Sequence, residues 1–167
     1  MSHHAFFMQY RQKPYIQKID LRGSIVHSKT LYNTATPEQE LSLKKIKILI
    51  ADTQHFNRLL IERRLNQLGL HRIAPVHDLN DMLKIIEYAS TPFDIVIANT
   101  SFASKQLNLT EYFMDSAQVN NAFLYASKNT NKIYHPYNQQ QKVKFNSSAL
   151  PELDTLAELI ALLPLAS

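Results

Sequence analysis

Two stretches, Ile46-Lys47-Ile48-Leu49-Ile50-Ala51-Asp52 and Phe93-Asp94-Ile95-Val96-Ile97-Ala98-Asn99, decide the fold. Each is a nearly unbroken run of β-branched and aliphatic residues, with no alternation of apolar and polar positions. A strand with one wet face alternates, whereas a strand covered on both faces does not, so both runs read as interior strands of a parallel sheet. Each ends on a short polar side chain, Asp52 or Asn99.

Working outward, Thr53–Leu68 carries Phe56, Leu59, Leu60, Leu65 and Leu68 at near-helical spacing, and Gly69 stands where a helix end favours a left-handed residue. Arg72–Val76 is a weak second strand. Leu79–Tyr88 is a second helix, with Asp78 or Asn80 able to cap it. A short helix over Leu107–Phe113 leads to a further apolar strand, Ala122–Ala126. Ser127–Gln141 (SKNTNKIYHPYNQQQ) has no apolar period and contains Pro136. Val143–Phe145 makes a last short strand, and Pro151–Leu163 closes the chain as a helix. Strands alternating with helices imply right-handed crossovers and a parallel sheet. The expected fold is therefore a flavodoxin-like five-stranded α/β sandwich, its fourth helix degenerate or replaced by a loop.

Residues 1–42 read differently, without a sustained period. Ile19–Val26 fits one short strand with Gly23 as a bulge or turn. Thr34–Glu40 fits a linker or one helical turn, with Thr36 as cap and Pro37 in its first position. Two regions are expected: an N-terminal extension over 1–42, partly ordered, and a compact domain over 43–167.

The ordered set Ile48-Leu49-Ile50-Ala51-Asp52, Leu68-Gly69 and Phe93 to Asn99 resembles the receiver domain of bacterial response regulators, the CheY-like superfamily, over about residues 45–163. In that family the first strand ends in an acidic pair and the third in the phospho-accepting aspartate. The fourth ends in Thr or Ser, and the fifth in Lys-Pro. Here Asp52 matches the first acid, but Thr53 stands at the second and Asn99 at the acceptor. Ala126 falls at the hydroxyl position, with Ser127 beside it. The lysine position is open between Lys144 and His135, and neither alignment supplies the aromatic three residues earlier, where Gln141 or Lys132 stands.

Those departures alter the chemistry. Receiver phosphorylation uses a carboxylate oxygen as nucleophile, with Mg²⁺ neutralising the charge that gathers during transfer. An amide is a poor nucleophile. Of three family carboxylates only Asp52 remains, too little for a hard cation that seeks several oxygen ligands. Lys144, if inward, would be left to pair with Asp52 alone. The resemblance therefore implies a pseudo-receiver: a non-catalytic, phosphorylation-independent module of a two-component-type pathway. A shifted alignment would instead make Asp94 or Asp115 the acceptor, although neither ends a strand beside Asp52.

Composition narrows the alternatives. Of 167 residues, 45% are hydrophobic and 19% charged, enough for a core. There is no cysteine, which removes disulfides, thiol nucleophiles and thiolate metal centres. Gly23 and Gly69 are the only glycines, too few for a P-loop or a dinucleotide fingerprint. No cofactor is expected. Net charge is +4, with five basic against three acidic residues in 1–42 and thirteen against eleven beyond, so no region carries a nucleic-acid footprint. No apolar run approaches the ~20 residues of a membrane span. A soluble cytoplasmic protein is expected.

The partner is expected to be another protein. In the family the output surface is formed largely by the fourth helix, fifth strand and fifth helix, which places Tyr134, Pro136 and Tyr137 as contact residues. Residues 1–42 are a second contact, adding a strand to the sheet edge or exchanging within a homodimer. Their aromatic and basic residues (Phe6, Phe7, Tyr10, Arg11, Lys13) suit a protein groove as well as single-stranded nucleic acid. Glu62-Arg63-Arg64 reads as a solvated mixed-charge face before it reads as a contact. His3-His4, His71 and His77 read as solvated residues, and no metal is expected. The rival from another class is a small-molecule sensor, binding an anion or metabolite at the carboxyl ends of the strands. A pocket there would favour it, and a crevice filled by Phe102 or Tyr125 would count against it.

Overall fold

The computed structural model describes residues 18–19, 25–26, 37–102, 107–126 and 142–163. The chain divides into two units, Met1–Thr36 and Pro37–Ser167. In the first, β1 (Lys18–Ile19) pairs antiparallel with β2 (Ile25–Val26), so two short strands are found where one was expected over 19–26, and Gly23 lies outside the described residues.

The second unit opens with α1 (Pro37–Leu43), which starts at the expected proline and runs beyond one turn. There follow β3 (Lys47–Ala51), α2 (His55–Gln67), β4 (Arg72–Val76), α3 (Leu79–Glu87), β5 (Ile95–Asn99), a 3₁₀ turn at Thr100–Phe102, α4 (Leu109–Asp115), β6 (Ala122–Tyr125), β7 (Val143–Asn146) and α5 (Leu153–Ala161). The five strands form one parallel sheet in the order β4-β3-β5-β6-β7. This is the flavodoxin-like α/β fold. The crossover from β6 to β7, where the fourth helix was expected to be lost, lies outside the described residues.

Each strand sits where its composition directs. β5 (IVIAN) is buried along its whole length, and β3 is nearly so. β4 carries Pro75, which cannot donate to a ladder, and β4 is an edge strand with Arg72 and Pro75 exposed. Alternation along the strands divides the core in two. Leu49, Ala51, Val96, Ala98 and Leu124 pack under α3 and α4 with Met82, Ile86 and Phe113. Ile48, Ile50, Ile95, Ile97 and Phe123 face α2 and α5, meeting Ile61, Leu65, Leu156 and Leu159.

Local signals act as their chemistry requires. Asp78 caps α3, its Oδ1 accepting from the Asp81 N–H at 2.8 Å. Gly69 has φ +85°, the left-handed value that ends α2. Asp94 lies at the amino end of β5, where its Oδ2 accepts from the Lys47 N–H at 2.7 Å. That is the end of the sheet opposite Asp52. Asp115 is exposed at the last residue of α4. Neither is placed to act as an acceptor beside Asp52. Among the described residues, no helix is long and apolar enough to cross a membrane.

Candidate functional site

The alternation that sends Ile48 and Ile50 toward α2 sends Asp52 the same way, one residue past the end of β3. Ile95 and Ile97 do so for Asn99, and Phe123 for Tyr125. Register pairs Asn99 with Tyr125 and Ile97 with Phe123. Asp52, Asn99 and Tyr125 therefore form a polar row at the carboxyl end of three adjacent strands, capping an apolar one. All three are buried.

Asp52 is the hub. Its Oδ1 accepts from the Gln54 N–H at 2.7 Å, a tight turn that leads the chain into α2. Its Oδ2 accepts from Asn99 Nδ2 at 3.0 Å, from Asn57 Nδ2 at 3.0 Å and from the Tyr125 hydroxyl. Three of these four donors converge on Oδ2 and one on Oδ1, against about four lone-pair sites in a carboxylate. The Asp52 backbone is held as well: its N–H donates to the Val76 carbonyl at 3.2 Å, and its carbonyl accepts from Arg58 Nη1 at 2.7 Å.

Two of these donors are constrained in turn. Asn99 Oδ1 accepts from the Ser101 N–H at 2.9 Å, so both ends of the amide are assigned by partners. Burial, reinforced by the hydrogen bond to Asp52 and its negative charge, pushes the Tyr125 phenol far above its ordinary range. The hydroxyl thus stays protonated and can only donate to the carboxylate. Arg58, from the first turn of α2, supplies positive charge nearby, and the helix amino terminus adds its dipole.

The residues singled out from sequence divide. Asp52 and Asn99 are brought together. Thr53, at the second acidic position, is exposed and takes no part in holding Asp52. Ala126 is buried just beyond β6, its N–H donating to the Asn146 carbonyl at 3.2 Å. Lys144 pairs in register with Phe123, one alternation back from the polar row, and Asn146 stands opposite Tyr125 at the strand end. β7 runs to Asn146, so Lys144 stands two residues short of the strand's carboxyl end. Lys144 is buried, and desolvation lowers the pKa of its ammonium. His135, Tyr134, Pro136 and Tyr137 lie outside the described residues.

Sequence reading named Tyr125 only as a filler of the crevice and missed Asn57 and Arg58 as partners of Asp52. The usable signal was strand parity, since Tyr125 shares the face of Phe123. His77, read as solvated, is exposed and lies near two acids, with Nε2 3.3 Å from Asp78 Oδ2 and Nδ1 3.9 Å from Asp81 Oδ2. The cluster is largely exposed, and one Asp78 oxygen is already engaged in capping α3.

No family model matches the chain, and no curated protein matches it in sequence.

Proposed function

We propose that the chain is a phosphorylation-independent pseudo-receiver, a non-catalytic signalling module of a bacterial two-component-type pathway that works through protein–protein contact. The observation that carries this reading is the saturation of Asp52. Where a working receiver would gather carboxylates around Mg²⁺, neutral donors from Asn57, Asn99 and Tyr125 and one backbone N–H solvate the single remaining acid. A cation entering here would have to displace those donors and would find one anionic ligand set where it needs several. The side chain at the acceptor position, Asn99, is an amide committed at both ends.

The sensor reading has less support: Tyr125, named as a residue that would fill a ligand crevice, is buried and donates its hydroxyl to Asp52. The test is intact-protein mass after incubation with acetyl phosphate and Mg²⁺. The expected outcome is an unmodified chain, with a standard receiver phosphorylated in parallel. A phosphoryl adduct on this protein that hydroxylamine cleaves, as it cleaves an acyl phosphate, would overturn the proposal.

A further inference from the structure

We draw no further inference here: the strongest candidate, the exposed apolar stripe of Phe56 and Leu59 on the outer face of α2, carries no proposal, since nothing among the described residues shows what covers it.

Discussion

Asn99→Asp places a second carboxylate beside Asp52 and tests why this site is neutralised by donors. The Asn99 nitrogen lies 3.0 Å from Asp52 Oδ2, so the substitution exchanges a hydrogen bond for two facing oxygens. Two unit charges at that separation repel by about 5 kcal/mol at an effective dielectric constant of about 20. Proton uptake caps the cost. Holding one carboxyl of the pair protonated at pH 7, roughly three units above its ordinary value, takes about 4 kcal/mol. The loss at neutral pH should then be about 4 kcal/mol, a large share of the stability of an ordinary domain. One carboxyl of the pair has its folded-state value raised, so between its unfolded and folded values the native protein binds more protons. The penalty is accordingly absent below about pH 4 and accumulates as pH rises toward 7. Urea denaturation of both proteins at several pH values reads this directly. Magnesium at about 10 mM should return part of the lost stability to the variant and leave the parent unchanged, since only the variant has a carboxylate pair to bridge. Equal stability at pH 7, with no response to magnesium, would refute the reasoning by showing that the two side chains do not share a closed site.

Three further outcomes are expected. Tyr125→Phe leaves the buried Asp52 carboxylate one donor short and should cost about 1–3 kcal/mol in chemical denaturation, with the far-ultraviolet spectrum unchanged. Lys144→Met removes an ammonium whose pKa is lowered by desolvation; a lowered lysine gains stability as pH rises through its folded value, so the variant should lack that alkaline gain in a melting-temperature profile against pH. Asp78 is held below the usual carboxylate range, chiefly by the Asp81 backbone N–H it accepts from, so its contribution is present above its unfolded value and lost as pH falls through its folded one. Asp78→Asn should therefore flatten part of the acid limb of a thermal-melting profile.

Most of the sheet was legible because burial on both faces leaves a compositional trace: β3 and β5 are visible as aliphatic runs, and Gly69 and Asp78 mark helix ends by their backbone and capping chemistry. The orientation of α2 was not. Its apolar set, Phe56, Leu59, Leu60, Leu65 and Leu68, keeps a helical spacing, yet Ile61 and Leu65 are the buried pair while Phe56 and Leu59 face outward. A helix apolar on both sides gives periodicity no basis for choosing a face. The site was half legible. Asp52 and Asn99 end recognisable strands, and their residue types follow from position alone. Parity places Tyr125 on the face of Phe123, but its position beside Asn99 depends on the pairing of β5 with β6, a long-range register. The same holds for β7, where one extra alternation separates Lys144 from the strand end.

Under the proposed function, donors from the chain itself surround Asp52 where a working receiver would hold Mg²⁺. The most direct measurement is an amide NMR spectrum titrated with Mg²⁺ and then with beryllofluoride. The account expects the resonances of Asp52, Gln54, Asn99 and Tyr125 to hold their positions at millimolar Mg²⁺ and no adduct to form. Saturable shifts of those resonances, followed by a beryllofluoride complex, would contradict it.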